Sequence, residues 1–145
     1  MKKNIAIVAG GDSSEVVVSL KSAEGIYSFI DKEKFNLYVV ILKKGDWSVR
    51  LTDGGSAPIN KNDFSFVENG QVVRFDFAYI TIHGTPGENG LLQGYFDLIG
   101  MPYSCCGVLA ASITFNKFVC NNYLKSFGVN VADSVRLFKG EAWSD

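Results

Sequence analysis

Along the chain, short unbroken apolar runs alternate with stretches in which apolar residues recur at helical spacing, so strands and helices are expected to alternate. Asn4 to Ala9 is continuous and apolar and ends in Gly10-Gly11, the pattern of a strand buried on both faces of a parallel sheet. Val16, Leu20, Ala23, Tyr27 and Ile30 then recur at steps of four and three, giving a helix with one apolar face. Leu37 to Leu42 is rich in branched residues and predicts a second strand. Lys43-Lys44-Gly45-Asp46 turns into Trp47 to Leu51, and Asn69-Gly70 lies between Phe64–Val67 and Val72–Phe75. Both read as hairpin signals, the second because Asn-Gly supplies the positive φ angles of a tight turn. Residues 45–75 therefore look like an antiparallel insertion on the edge of a parallel core.

Phe77 to Ile82 is a third apolar run, closed by His83-Gly84. A helix to about Ile99 is predicted next, with Leu92, Phe96 and Ile99 on one face and Gly100 and Pro102 as its stop. A short helix over 107–113 follows. A longer one is expected over 115–126, with Phe115, Val119 and Tyr123 inward and Gly128 ending it. Val131 to Leu137 would be the last strand. This order implies an α/β domain with a mostly parallel sheet flanked by helices. Such sheets bind ligands beyond the carboxyl ends of their strands. Two glycine-rich loops fall at such ends, residues 10–15 and 83–90, and each carries one glutamate.

Composition narrows the classes. The 145 residues suit one domain. A net charge of −1 without a basic stripe gives no support to a nucleic-acid or acidic-membrane partner. The apolar run after Met1-Lys2-Lys3 is too short for a secretory signal, and no stretch reaches membrane-spanning length. Cys105, Cys106 and Cys120 are odd in number and two are adjacent, so free thiols in a reducing cytoplasm are expected. They lack the spacing of a metal site, and His83 is the single histidine.

Four residues carry candidate chemistry, each beside a structural alternative. Glu15 either completes an approximate capping box with Asp12 or offers its carboxylate to an ammonium group. In the second loop, Thr85 could cap a helix, Pro86 open it and Glu88 close the box. His83 at that strand end is either hydrogen-bonded structure or a proton-sharing donor. Lys117 is either a solvated helical lysine or a cation at a helix start, where a bound phosphate would relieve its conflict with the helix dipole. The first loop lacks the three spaced glycines of a dinucleotide fingerprint, which speaks against an oxidoreductase domain.

In combination these residues spell a family. Gly10-Gly11-Asp12-Ser13-Ser14-Glu15 with Val18-Ser19-Leu20-Lys21-Ser22-Ala23, and His83-Gly84-Thr85-Pro86-Gly87-Glu88-Asn89-Gly90 with Leu92-Gln93-Gly94, resemble the two N-terminal signatures of D-alanine–D-alanine ligases. Met101-Pro102-Tyr103, Cys106-Gly107-Val108 and Asn116-Lys117 continue the pattern in register. The resemblance covers the whole chain and is nearest to the Bacteroides-type members, including the hairpin segment.

The resemblance implies a Rossmann-like preATP-grasp substrate domain over residues 1–145. The central and C-terminal ATP-grasp domains would lie outside this chain. It implies an enzyme that uses ATP and Mg2+ to join two D-alanines through an acyl phosphate for peptidoglycan synthesis, in the cytoplasm. By position Glu15 resembles the glutamate that holds the ammonium of the first D-alanine, and His83 the histidine near its carboxylate. Glu88 resembles a glutamate supporting that loop, and Lys117 the lysine that touches ATP phosphates. D-alanine and the remaining ligase domains are the implied partners, with a homodimer through this domain. No ATP or Mg2+ is expected on the fragment, which should fold without ligating.

Asn89 and Asn116 stand where the family pattern has aspartate, and Ser104-Cys105-Cys106 where it more often has Thr-Gly-Ser. Three other readings stay open on the sequence. One is a non-catalytic binding or dimerisation module of the same shape. Another is a ligase whose second substrate is D-lactate or D-serine. The third, a nucleotide-binding oxidoreductase domain, is the one the first loop disfavours.

Overall fold

The first apolar run becomes the central strand of a sheet, and the rest of the architecture is arranged around it. The computed structural model describes residues 2–141. Its elements are β1 (Lys3–Gly10), α1 (Val16–Phe29), β2 (Phe35–Lys43), β3 (Asp46–Arg50), β4 (Ser56–Pro58), β5 (Phe66–Glu68), β6 (Gln71–Val73), β7 (Phe77–Ile80), α2 (Leu91–Leu98), α3 (Val108–Phe115) and α4 (Lys117–Ser126). The main sheet has the order β4-β3-β2-β1-β7. β2, β1 and β7 are parallel, while β3 and β4 extend the β2 edge antiparallel. A second, two-stranded sheet pairs β5 with β6 around Asn69-Gly70, whose φ angles are 50° and 76°.

The two faces of β1 bury different partners, because alternate side chains of a strand point to opposite faces. Ile7 and Ala9 meet Ala23, Leu20 and Ile26 of α1 and Ile30 just beyond its end. Ala6 and Val8 belong to the larger core with Phe64, Phe66 and Phe75 of the insertion and Leu92 and Phe96 of α2. The insertion thus shares the packing on that face with α2. Phe64 alone meets Trp47, Phe75, Tyr95 and Phe96 at centroid distances of 5.0–6.0 Å, the range in which tilted aromatic pairs attract.

The α/β class, the mostly parallel sheet and the antiparallel insertion agree with the sequence reading. Four expectations are corrected. Val131–Leu137 is not a strand. Its side chains are largely exposed, and it is tied back by Lys125–Asp133 and Asn121–Ser134 contacts. A strand needs a paired edge and a face to bury, and the described residues give it neither. Phe115, Val119 and Tyr123 are not inward but 39–47% exposed, since α4 packs on α3 and buries no residue. Phe115 itself closes α3, and Asn116 separates the two helices. On α1, Tyr27 is at the margin, and Ser19 and Ile26 take places on the buried face. The helix after the second loop starts at Leu91 behind Gly90, so Pro86 does not open it.

Candidate functional site

The two glycine-rich loops lie at the same end of the sheet because β1 and β7 are parallel neighbours, with Val8 opposite Ile80. Gly10 and Gly11 both have φ of 98°, a region that L side chains rarely adopt. A Cβ on Gly11 would stand 2.6 Å from Ile82 Cγ2, and one on Gly10 would collide with the Leu42 carbonyl. The chain therefore turns tightly over the ends of its neighbours. The Gly11 N–H donates to Leu42 O at 2.8 Å and the Asp12 N–H to Thr85 O at 2.9 Å.

Ser13 ties the loops together. Its hydroxyl donates to His83 O at 2.8 Å and accepts from the Glu15 N–H at 3.2 Å. Glu15 Oε2 lies 3.8 Å from where a Cβ on Gly84 would be. The Glu15 carboxylate and the His83 segment thus share one rim. Glu15 is the residue immediately before α1, and its side chain makes no capping bond. Asp12 does not cap either, since its carboxylate accepts from the Lys44 N–H at 2.8 Å. The capping-box reading of Glu15 is therefore overturned, and its exposed carboxylate is left available.

His83 is half-buried and lines a hollow of about 250 Å³ with Ser22, Ile26, Thr81, Glu88 and Cys105. Among the described residues no hydrogen bond engages its imidazole. Glu88 folds back on the same loop. Its carboxylate accepts from the Gly84 N–H at 2.7 Å, and its own N–H donates to Gly84 O at 2.8 Å. This closes a turn one residue earlier than the expected box, with a cis Thr85–Pro86 bond inside it.

Lys117 stands apart. It is the first residue of α4, as expected, but its ammonium donates to Phe115 O at 3.3 Å and lies over the Phe115 ring. Asn116 caps the helix by accepting from the Val119 N–H at 3.2 Å. Among the described residues no hydrogen bond or ion pair joins Lys117 to Glu15 or His83. No group of three His, Cys, Asp or Glu side chains among them could hold a metal ion, so these residues do not fit a magnesium site of their own.

Sequence reasoning missed the polar residues underneath. Ser19 is fully buried, and its hydroxyl accepts from the Gly10 N–H at 3.0 Å. Thr81, also buried, donates to Val8 O at 3.0 Å. Gln93 is 1% exposed and donates to Gly87 O at 2.6 Å. A serine or glutamine on an otherwise apolar helix face was the available signal. Cys105, with φ of 82°, sits at the rim, and burial pushes its thiol pKa up.

The family described as D-ala D-ala ligase N-terminus matches residues 4–106. The chain belongs to that family. The domain is 70% identical over 145 residues to a D-alanine–D-alanine ligase of Parabacteroides distasonis, covering all of this chain and 44% of that protein. Among solved structures it resembles the Vibrio cholerae D-alanyl-alanine synthetase A, with 30% identity and a TM-score of 0.77 over 88% of this chain and 38% of that one. It also resembles the Bacillus anthracis D-alanine–D-alanine ligase complexed with ATP, with 27% identity and a TM-score of 0.73 over 98% of this chain and 42% of that one. The ligase N-terminal domain therefore spans less than half the length of the curated relative. No helix among its described residues is long and apolar enough to cross a membrane.

Proposed function

We propose that this domain is the amino-acid-facing part of an ATP-dependent ligase that joins two D-alanines for peptidoglycan synthesis in the cytoplasm. The observation that carries the reading is the Ser13 clasp, with Glu15 Oε2 beside Gly84 and the Ser13 hydroxyl on His83 O at 2.8 Å. One rim then offers an anionic carboxylate and a histidine, the complement of a zwitterion. Glu15 receives the ammonium of the first D-alanine, and His83 shares a proton with its carboxylate. Glu88 holds the turn that aims His83. An acyl phosphate is lost to water, so the site must close over the pair. In a dry site an ammonium without a carboxylate partner is costly. Fixing both amino acids turns their encounter into an effectively intramolecular attack.

ATP supplies the phosphoryl group that activates the first carboxylate, with Mg2+ as countercharge, and both are held largely by residues outside 1–145. Lys117 is this domain's contribution to the phosphates, and it must swing off Phe115 to reach them. The relative complexed with ATP supports the nucleotide. The central and C-terminal ligase domains meet the exposed apolar side of α3 and the end of α4, where Leu109 and the C-cap Phe127 are 72% and 70% exposed. A homodimer through this domain would cover Val17, Val18 and Phe29 of α1.

The test is Glu15→Gln and His83→Ala in the full-length ligase. Each should lower kcat/KM for D-alanine about tenfold or more, as expected when a positioned polar contact is lost. Wild-type kinetics in both would return the two residues to structural roles.

A further inference from the structure

We infer that Gln93 is a positioning residue for the His83 rim, acting through the Gly87 carbonyl. The inference rests on the ligase reading of that rim and extends it to a residue that touches no substrate. Gln93 lies on the buried face of α2 between Leu92 and Phe96 and is 1% exposed. Its amide nitrogen donates to Gly87 O at 2.6 Å and to Cys105 Sγ at 3.4 Å. Both acceptors belong to residues that line the hollow beside His83. One buried amide therefore joins the 83–90 loop to the 104–106 loop from below.

The other half of that amide explains why the arrangement is not ordinary core packing. Gln93 Oε1 is the one buried side-chain polar atom without a partner among the described residues. A buried polar group that is only half satisfied costs stability. An apolar residue of the same length would remove that cost but would leave the buried Gly87 carbonyl, which has no other donor among the described residues, without a partner. What glutamine adds is a donor toward Gly87. The loop needs one there, because Gly87 has no room to be held by a side chain of its own. A Cβ on it would stand 2.5 Å from Ile82 O and 2.6 Å from Ile82 Cβ. Glu88 fixes the Gly84 end of the turn by accepting from its N–H at 2.7 Å. Gln93 fixes the Gly87 end, and His83 is attached to a turn held at both points.

The test is Q93M in the full-length ligase, with wild type and H83A measured alongside. Methionine keeps the length, fills the space and carries no donor. Because the Gly87 carbonyl loses its donor, thermal stability is expected to fall modestly, while KM for D-alanine rises about tenfold and kcat changes less. A structural role alone would lower stability and leave KM and the His83 ring unchanged. The second readout is NMR of the His83 ring, assigned by its loss in H83A. In Q93M its resonances are expected to shift and broaden. Wild-type KM in Q93M, or His83 resonances at their wild-type positions, would overturn the inference. If H83A is as active as wild type, the substrate role of the rim fails instead, and the His83 resonances still decide the role of Gln93.

Discussion

At the scale of single residues, the site depends on backbone that cannot carry side chains. Gly10 closes β1 with φ of 98°, and any Cβ there would run into the Leu42 carbonyl on the neighbouring strand. Gly10→Ala is therefore strained twice, by dihedral and by contact, and cannot relax without moving β2. It should cost about 1–3 kcal/mol or more of stability. Urea denaturation of wild type and variant measures it, and a midpoint within error of wild type would contradict the account. The glycines were legible in the sequence as turn formers. The clasp by Ser13 was not, since a serine beside a glycine pair has many local partners, and its bond to His83 O spans 70 residues. Asp12 was misread for the same reason, because a carboxylate near a helix start usually caps it, whereas Lys44 N–H is within reach only in the folded sheet.

At the scale of elements, α2 is locked to the insertion by Tyr95. Its hydroxyl donates to Lys61 O at 2.9 Å, and its ring packs edge-on to Trp47 at 5.0 Å. Burial, reinforced by the nearby Asp63 charge, pushes the phenol up to about 12 from its ordinary value of 10.0. Between about pH 10 and 12 the unfolded chain gives up this proton and the folded chain keeps it, so stability falls as pH rises through that window. Burial also raises Tyr38 and Tyr103, which act in the same direction. Denaturant midpoints from pH 9 to 12 should decline less steeply in Tyr95→Phe than in wild type, and parallel curves would count against the lock. Nothing in the spacing of Tyr95 set it apart from a core aromatic. Its hydroxyl partner is a backbone carbonyl in a turn, and turn carbonyls leave no trace in sequence.

At the scale of the whole molecule, the chain spans 44% of a ligase to which it is 70% identical. The rim that joins Glu15 to the His83 loop is built within residues 10–88, whereas Lys117 is turned to its own helix and no metal-binding group is present among the described residues. Residues 1–145 alone are accordingly expected to fold without catalysing ligation. Incubation with ATP, magnesium and D-alanine should release phosphate no faster than a Glu15→Ala control of the same fragment. Steady release well above that control would mean that the rim and Lys117 suffice. The misread regions, Val131–Leu137 and the apolar face of α4, belong to this scale too. Their patterns promise burial, and the described residues offer no surface that provides it.

By itself the sequence determined the strand and helix order as far as the last helix, the parallel core, the hairpin insertion and the family, because these follow from periodicity, turn chemistry and two local signatures. It also named Glu15, His83, Glu88 and Lys117, since each lies in or beside a motif. Only the tertiary structure decided which of them meet. Parallel pairing of β1 with β7 brings Glu15 and the His83 loop to one rim, while Lys117 stays on a helix that packs elsewhere. The partners of the buried polar side chains beneath the rim, Ser19, Thr81 and Gln93, were equally hidden. Those partners are backbone atoms 6–73 residues away, and such bonds are set by how elements pack, which residue order alone does not encode locally.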